Sequence, residues 1–463
     1  MFKQSKKNYD VIIIGAGPAG IFAALELAKK SRKKVLLIDK GSSIKKRVCP
    51  TIAKGVECSN CKPCDILNGW GGAGAYSDGK LTLSTAIGGI LDTIISKKQL
   101  VELIDYADKL YLKFGAKNVI YGDNEDDISE LSRKASLAGL ILIPNRLRHL
   151  GTDTSIEVLK NMENFLLKKI DILMDTSVKE IICRDNEVKG VMLDNGDIFE
   201  SKYVIAAPGR QGARWLSDES HRLKLNTIVN PVDVGVRVET SADTSEPITE
   251  GIYESKFIYY SKHFDDKVRT FCMCPYGEVV SENDDGIITV NGHSYGNKKT
   301  KNTNFAILVS KNFTEPFKDP IAYGQYIARL GNLLAGKVMV QRLGDLQAGR
   351  RSTVERMRKS VVEPTLKEAT PGDLSLVLPY RHLLNILEML TALDQVAPGI
   401  ASKNTLLYGV EIKSYSSQIE TSKFLETQVN NLFACGDGAG ITRGLMQASV
   451  SGIIAAQEIM RRK

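Results

Sequence analysis

The sequence predicts an α/β protein in which a parallel sheet with a β-meander is combined with a second, α+β domain. An apolar strand, a glycine-rich turn and a helix open the chain at residues 9–30, and a second apolar strand follows at 34–39. Short apolar segments separated by turn residues between Ile170 and Ser201 are typical of an antiparallel meander. A strand–turn–helix pattern returns at residues 431–460. Together these patterns predict a Rossmann-like domain assembled from distant parts of the chain.

The glycine turn in the opening segment has the spacing that binds a dinucleotide. Gly15-Ala-Gly17-Pro-Ala-Gly20 matches GxGxxG and lies between a strand and a helix, as this motif requires. Gly15 allows the tight turn, Gly17 lets the backbone approach a pyrophosphate, and Gly20 lets the helix pack on the strand. Asp39, nineteen residues after Gly20, is placed to accept a hydrogen bond from a ribose.

Composition and charge narrow the class of protein. The chain has 463 residues, 43% of them hydrophobic, and a formal net charge of +8. Its basic residues are scattered, which is typical of a solvated surface, so we do not expect a nucleic-acid partner. We find no signal peptide and no uninterrupted apolar span, and we therefore expect a cytoplasmic protein that does not cross a membrane. The oligomeric state is not predicted.

The remaining segments predict the domain organisation. Five glycines within residues 68–79 predict a loop whose backbone closely approaches a ligand. We expect residues 1–216 and 401–463 to form the dinucleotide-binding domain, with a helical insertion at about 86–150, and residues 217–400 to form a substrate domain. Apolar periodicity predicts helices at 98–114, 126–138, 322–334 and 381–393, and strands at 232–238, 257–260, 287–290 and 305–309.

The chain resembles the two-dinucleotide-binding-domain flavoproteins, the superfamily shaped like glutathione reductase. Ala207-Pro-Gly209 after the meander and Gly436-Asp437 near the end match its later motifs. Within it, the chain is most similar to the uncharacterised FAD-dependent dehydrogenases. That similarity is carried by residues 69–80, 148–153, 271–277, 341–351 and 409–411. A second GxGxxG and the CxxxxC of the disulfide reductases are both absent from the sequence.

The resemblance implies an FAD-dependent oxidoreductase with a Rossmann-like FAD-binding domain. It places the cofactor against the glycine turns, the two acids and their neighbours. The residues expected to bind FAD are Gly15, Gly17, Ala19, Gly20, Asp39, Lys40, Gly71, Gly72, Ala73, Gly74, Ser77, Val178, Ala207, Gly209, Gly436, Asp437, Arg443, Gly444 and Met446.

Four cysteines follow the second strand and predict a metal or redox centre. Cys49, Cys58, Cys61 and Cys64 have the spacing C-x8-C-x2-C-x2-C. The CxxCxxC half is similar to the ligand run of a [4Fe–4S] cluster. Four-thiolate zinc, a redox dithiol and unliganded cysteines are the alternatives.

Four residues are candidates for catalysis. Lys80 could stabilise negative charge on a reduced flavin, and His149 and His293, in predicted polar loops, could donate protons. The alternatives are a solvated lysine and two histidines with structural roles only. Cys274 could line the flavin, although its composition favours a buried strand with small thiols. Arg350 and Arg351 could bind an anionic group, or could be exposed or ion-paired.

These features predict an enzyme that moves electrons between a small-molecule substrate and a redox partner. The metal centre would connect the flavin to a one-electron partner similar to ferredoxin. The alternatives are a flavin-dependent RNA-modifying enzyme, and an electron-transfer or redox-sensing protein. The substrate is not predicted.

Overall fold

The computed structural model describes residues 7–50, 53, 61–284, 286–294, 298–311, 313, 319–414 and 416–462. The chain divides into two compact units. The first contains Met1–Val119, Leu147–Asn230 and Tyr415–Lys463, and the second contains Ile120–Arg146 and Pro231–Ser414. The observed boundaries at 230/231 and 414/415 differ from the predicted boundaries at 216/217 and 400/401. The predicted helical insertion at 86–150 is also divided, because residues 120–146 belong to the second unit.

The strands are defined in chain order. They are β1 (Lys7–Ile14), β2 (Val35–Ile38), β3 (Lys80–Thr82), β4 (Leu140–Ile143), β5 (Leu147–His149), β6 (Asp171–Leu173), β7 (Val178–Arg184), β8 (Glu187–Leu193), β9 (Ile198–Ala206), β10 (Thr227–Ile228), β11 (Val232–Ser241), β12 (Lys256–Tyr260), β13 (Lys267–Cys274), β14 (Glu278–Asp284), β15 (Ile287–His293), β16 (Asn302–Lys311), β17 (Met339–Arg342), β18 (Thr370–Pro371), β19 (Leu406–Ser414), β20 (Gln418–Ile419) and β21 (Leu432–Ala434).

The α-helices are α1 (Pro18–Lys30), α2 (Leu91–Ile94), α3 (Lys97–Lys113), α4 (Glu125–Leu137), α5 (Thr152–Leu166), α6 (Ala213–Arg222), α7 (Ala242–Thr249), α8 (Pro320–Ala335), α9 (Leu343–Gln347), α10 (Val354–Met357), α11 (Tyr380–Asp394) and α12 (Leu445–Arg461). Short 3-10 turns lie at Gly72–Tyr76, Arg210–Gly212, Leu374–Leu376 and Asp437–Ala439.

The first unit is built on a parallel sheet with a meander at one side. Its strand order is β6-β2-β1-β9-β8-β7 in the described residues, with β21 also paired to β9. β6, β2, β1, β9 and β21 pair in parallel, whereas β7, β8 and β9 pair antiparallel. All four residues of β2 are buried, as expected for a parallel strand covered on both faces. The predicted α/β fold with a Rossmann-like sheet and a meander is therefore confirmed.

Helices α1 and α12 pack closely enough to need a glycine. A Cβ atom added to Gly452 of α12 would lie 1.9 Å from the carbonyl oxygen of Ala19 in α1. Several neighbouring residues of α12 are also small and buried, including Ser449, Ser451 and Ala455. The close approach fixes the start of α1 beside the middle of α12.

The second unit contains an antiparallel sheet in which only one described strand pair is parallel. Its strand order is β18-β17-β19-β11-β16-β13-β12-β4, and the parallel pair is β17–β18. β14 and β15 form a separate hairpin. β4 joins this sheet through β12, with Ile141 opposite Ile258, which explains why residues 120–146 leave the first unit.

Among the described helices, none is both long and apolar enough to cross a membrane.

The helices predicted at 98–114, 126–138, 322–334 and 381–393 are present as α3, α4, α8 and α11. The predicted strands of the second unit are present as β11, β12, β15 and β16.

Candidate functional site

The turn between β1 and α1 has the geometry that its glycines predict. Gly15 has φ +104°, and an added Cβ would lie 2.1 Å from the carbonyl oxygen of Ala207. An added Cβ on Gly20 would lie 1.9 Å from the carbonyl oxygen of Gly15, so both positions exclude a side chain. A Cβ on Gly17 would meet nothing within 4 Å. Gly17 therefore faces open space, where the motif places a pyrophosphate.

Helix α1 presents a positive N-terminus to this space. Its N-cap is Gly17, which provides no side-chain hydrogen bond, and its first turn has no acidic residue. The first N–H groups of a helix have no partner within the helix, and the helix dipole favours an anion beside them. An anionic ligand would satisfy both requirements.

Asp39 connects three loops at the end of β2. Its Oδ2 accepts the N–H of Ala16 at 2.7 Å, and its Oδ1 accepts those of Gly41 at 2.8 Å and Gly69 at 3.0 Å. Burial raises the pKa of Asp39, while these N–H groups and the charge of Arg47 counteract the rise. A carboxylate oxygen has two lone pairs, so Oδ2 retains one acceptor site, which fits a ribose hydroxyl.

The glycine loop at residues 69–77 packs against the fingerprint turn. The N–H of Gly71 donates to the carbonyl of Ala16 at 2.8 Å, and an added Cβ on Gly72 would lie 3.3 Å from the Cα of Gly17. Trp70 is fully buried and donates from Nε1 to the carbonyl of Leu159 at 2.9 Å. The indole thus holds the loop in place, and the glycines bring its backbone to the turn.

The predicted motif at 207–209 meets the late Gly-Asp motif. An added Cβ on Gly438 would lie 2.5 Å from the carbonyl oxygen of Gly209, and one on Gly436 would lie 3.1 Å from the Cβ of Ala19. Gly209 has φ +66° and faces open space. These contacts bring both motifs to the N-terminus of α1.

Asp437 is held at this junction. Thr442 donates from Oγ1 to its Oδ1 at 2.7 Å, and Arg210 lies 4.0 Å from its Oδ2. Burial raises the pKa of Asp437, and the positive charge of Arg210 and the Thr442 hydrogen bond lower it in part. Asp437 is therefore placed beside the open space, with its charge partly compensated.

A second helix N-terminus borders the same loops. Gly444 is the N-cap of α12, makes no side-chain capping bond, and faces open space. An added Cβ on Gly74 would lie 2.4 Å from the Leu445 side chain, so α12 begins against the glycine loop. Met446, in the first turn, is buried, and the N–H of Arg443 donates to the carbonyl of Gly88 at 2.8 Å.

The remaining predicted cofactor residues lie around these loops. Lys40 donates to the carbonyl of Gln211 at 3.2 Å, and burial lowers its pKa despite the nearby Asp39. Ser77 caps the turn by donating to the carbonyl of Gly74 at 2.8 Å. Val178 begins β7 and is half-buried, and Ala73 lies within the 3-10 turn. Whether each residue contacts the cofactor stays a prediction.

Lys80 and His149 are brought together as opposite residues of β3 and β5. Lys80 is 9% exposed and pairs with Asp78 at 3.0 Å. His149 was expected in a loop, but it closes β5, because the N–H groups of Leu150 and Gly151 bond back to Gly79 and Asp78. The pair therefore adjoins the glycine loop in the first unit.

His293 and Cys274 belong to the second unit. His293 was also expected in a loop, but it ends β15 opposite Glu278, since the hairpin pairs to that residue. Cys274 ends β13 and is fully buried.

Arg237 is a candidate that sequence reasoning missed. This arginine of β11 is fully buried and donates to Asn304 Oδ1 at 2.8 Å and to Cys274 Sγ at 3.3 Å. Its Nη1 lies 3.4 Å from Glu411, which is also fully buried. A single basic residue inside the apolar run 232–238 was the available signal.

One of the two arginines predicted to bind an anionic group, Arg350, already pairs with a carboxylate of the second unit. Arg350 and Arg356 each lie 3.0 Å from Asp345, whose carboxylate also accepts from Ser352. Burial works against the charge of Asp345, but the Ser352 and arginine hydrogen bonds dominate and lower its pKa. Arg350 is thus ion-paired, and Arg351 is exposed.

The cysteine stretch is described in part. Cys58 lies outside the described residues, while Cys49 and Cys64 are half-buried and Cys61 is exposed. The sulfurs of the three described cysteines of this stretch do not all lie within 4.8 Å of one another. Arg47, 3% exposed, donates to the carbonyls of Asp65 and Trp70, which ties the start of the stretch to the chain beyond it.

Two family descriptions match the chain. Residues 9–120 match pyridine nucleotide-disulphide oxidoreductase, and residues 231–414 match FAD-dependent protein, C-terminal domain-like. The second match corresponds to the major segment of the second unit.

Curated relatives and solved structures are also similar. An uncharacterised protein of Clostridium beijerinckii is 26% identical over 97% of this chain and 80% of its own length. An uncharacterised protein of Methanosarcina barkeri is 58% identical over 10% of this chain and 11% of its own. L-proline dehydrogenase from P. horikoshii is 13% identical, with 99% and 95% of the two chains covered and a TM-score of 0.42. 3-Ketosteroid-delta4-(5alpha)-dehydrogenase from Rhodococcus jostii RHA1 is 12% identical. The similarity covers 99% of this chain and 98% of that chain, with a TM-score of 0.44.

The first match covers the fingerprint turn and the glycine loop, and the second carries the FAD-dependent description. The chain is an FAD-dependent oxidoreductase.

Proposed function

We propose that the first unit holds FAD across the fingerprint turn and the N-terminus of α12, and that the enzyme moves two electrons between a small-molecule substrate and a redox partner. The observation that carries this proposal is the set of glycine turns that meet at the N-terminus of α1. Gly17, Gly209 and Gly444 all face open space there. We also propose that the chain is one of the uncharacterised FAD-dependent dehydrogenases of the glutathione-reductase-like superfamily.

The residues have distinct proposed roles toward the cofactor. The N–H groups at the starts of α1 and α12 bind the pyrophosphate, and Oδ2 of Asp39 accepts from the ribose. Asp437 orients the chain of hydroxyls between pyrophosphate and ring. Bound FAD supplies the acceptance and release of a hydride.

Lys80 is proposed to place a positive charge near the reacting end of the cofactor. The Lys80 side chain is only 9% exposed, and the Asp78 carboxylate lies 3.0 Å from its ammonium group. This ion pair holds the cation in position. His149, directly opposite on β5, is proposed to donate or accept the substrate proton. His293 and Cys274, in the second unit, stay sequence-based candidates for catalysis.

Gly17→Ala tests the proposed FAD site. The protein itself has room for this methyl group, and Gly17 has an ordinary φ of −77°, so the fold should be retained. The methyl group would occupy the space of the pyrophosphate, and FAD affinity should fall at least about ten-fold, or ~1.4 kcal/mol. Fluorescence titration of the apoprotein with FAD measures this.

Gly196→Ala is the matched control. Gly196 also faces open space, but it lies in the turn between β8 and β9 with φ +87°. Alanine there should cost about 1 kcal/mol of stability while FAD affinity is unchanged. If Gly17→Ala binds FAD as tightly as the wild type, the proposed position of the pyrophosphate is wrong.

We further propose that Cys49, Cys58, Cys61 and Cys64 hold a [4Fe–4S] cluster that passes single electrons to a ferredoxin-like partner. Support comes from the cysteine spacing and from Arg47, which ties together the two ends of the stretch. Anaerobic purification with metal analysis should find about four irons per chain. Cys61→Ser should lose this iron, and Cys183→Ser should keep it. About one zinc per chain would instead make the site structural.

A further inference from the structure

Cys272 and Cys274 lie side by side at the end of β13, in the second unit. Their sulfurs are 3.9 Å apart. Cys274 is fully buried, whereas Cys272 is half-buried and open in part to solvent. A half-buried thiol beside a fully buried one fits thiol–disulfide exchange, in which one sulfur must be accessible to the disulfide that it attacks.

The backbone at this point is irregular in a way that brings the two thiols together. Phe271 pairs with Ala306, and the next paired residue, Cys274, lies opposite Asn304. β13 therefore carries one extra residue, a β-bulge. Cys272 adopts φ +46°, which is rare for a residue other than glycine. Such strain is commonly retained at functional positions.

Arg237 supplies a fixed positive charge to the sulfurs. Its Nη2 lies 2.6 Å from the carbonyl oxygen of Cys272 and 3.3 Å from Cys274 Sγ. Burial opposes the charge, but Glu411 and the two sulfurs raise the pKa of Arg237 above its usual range. A cation next to a thiol favours the thiolate, which is the reactive form.

The surroundings leave room for this guanidinium. An added Cβ on Gly292 would lie 2.0 Å from Arg237 Nη2 and 2.0 Å from Asn304 Oδ1. Asn304 holds Nε of the same guanidinium at 2.8 Å, so its plane is fixed. Burying a cation is costly unless it is paired, and Glu411 and Asn304 compensate Arg237 while its Nη2 stays beside Cys274 Sγ.

We propose that Cys272 and Cys274 form a redox-active dithiol that exchanges electrons with small-molecule disulfides. The Cys272 thiolate attacks one sulfur of R–S–S–R, forms Cys272–S–S–R and releases RS⁻. The Cys274 thiolate then attacks Cys272 Sγ, forms the Cys272–Cys274 disulfide and releases the second RS⁻. The dithiol loses two electrons and two protons, which leave as two RSH. The reverse reaction oxidises a small dithiol. This proposal goes beyond the FAD-based function and does not depend on it.

The test uses the purified FAD-containing protein and glutathione disulfide. The protein is reduced, desalted, exposed to glutathione disulfide without oxygen, alkylated in denaturant and digested with trypsin. The peptide of residues 270–298 contains no cysteine besides Cys272 and Cys274. In the wild type it should lose two hydrogen atoms and resist alkylation.

Substitutions separate the two steps. Cys274→Ser should accumulate one glutathione adduct on Cys272, because the resolving thiol is missing. Cys272→Ser should react with glutathione disulfide at least about ten-fold more slowly, since its remaining thiol is buried. Arg237→Met should slow the wild-type reaction at least about ten-fold, and Arg237→Lys, which keeps the charge, should slow it less. Thermal unfolding of each variant shows whether it is folded.

Cys183→Ser is the matched control and should behave as the wild type. Burial raises the pKa of Cys183 to about 11, so its thiolate is scarce at neutral pH. The proposal is overturned if the wild-type peptide keeps two alkylatable thiols, or if both cysteines carry separate glutathione adducts. It is also overturned if folded Cys272→Ser reacts as fast as the wild type.

Discussion

Asp39→Asn tests how one carboxylate supports both the fold and the cofactor. The amide keeps one acceptor oxygen and replaces the other with an NH2 donor. If the oxygen keeps the bonds to Gly41 and Gly69, the N–H of Ala16, now 2.7 Å from Oδ2, faces a donor. Leaving that N–H unsatisfied costs about 1–3 kcal/mol, and two bonds lose their charge assistance at ~1 kcal/mol each.

Part of this cost is offset, because the neutral amide has no charge to bury, and burial of the carboxylate charge is what raises the pKa of Asp39. We therefore expect a net loss of roughly 2–3 kcal/mol in the free energy of unfolding. FAD affinity should fall about ten-fold, since the remaining acceptor site on Oδ2 is lost. Urea unfolding of the apoprotein measures the first effect, and FAD titration measures the second.

Asp10→Asn is the matched control. Asp10 also accepts a backbone N–H, that of Lys34 at 2.6 Å, but this bond is exposed. An amide oxygen can replace it, so the change should stay within about 0.5 kcal/mol. The reasoning is refuted if Asp39→Asn is as stable as Asp10→Asn and binds FAD like the wild type.

Two further predictions concern stability. His382 is 2% exposed, its ring nitrogens have no hydrogen-bond partner among the described residues, and burial together with Lys311 lowers its pKa to about 4. The unfolded state therefore binds a proton that the folded state does not, so stability should fall by about 1.4 kcal/mol per pH unit from ~6.5 down to ~4. In urea unfolding, His382→Leu should remove this dependence and His221→Gln, at an exposed site, should not; equal slopes for all three proteins would contradict the prediction. Gly452→Ala should lower stability by roughly 1–3 kcal/mol, because its Cβ would lie 1.9 Å from the Ala19 carbonyl oxygen. Helix propensity alone would instead raise stability by about 1 kcal/mol, and thermal unfolding distinguishes the predicted loss from this gain.

Local patterns in the sequence were sufficient for the first unit's sheet and turns. GxGxxG encodes steric requirements that act within one strand–turn–helix, and the structure shows them at Gly15 and Gly20. The meander strands β7 to β9 follow from alternation and turn residues, which are also local. The fold class could therefore be predicted correctly.

Long-range pairing could not be read in the same way. Nothing near Ile141 indicates that β4 pairs with Ile258 of β12 more than a hundred residues away, so the predicted domain divisions differ from the observed ones. His149 was expected in a loop because β5, which it ends, is defined by its pairing with the distant β3. His293 was expected in a loop because β15 extends beyond its apolar residues to pair with the start of β14. Arg237 was missed since its role depends on Asn304, Cys274 and Glu411, which meet only in the folded sheet.

The identity of the flavin released from the purified protein tests the central claim most directly. The fingerprint turn, Asp39 and the N-terminus of α12 predict a cofactor with both an adenosine and a pyrophosphate. Heat denaturation followed by chromatography should therefore release FAD, at about one per chain after reconstitution. Release of FMN, or a protein that binds no FAD when it is supplied, would contradict the account.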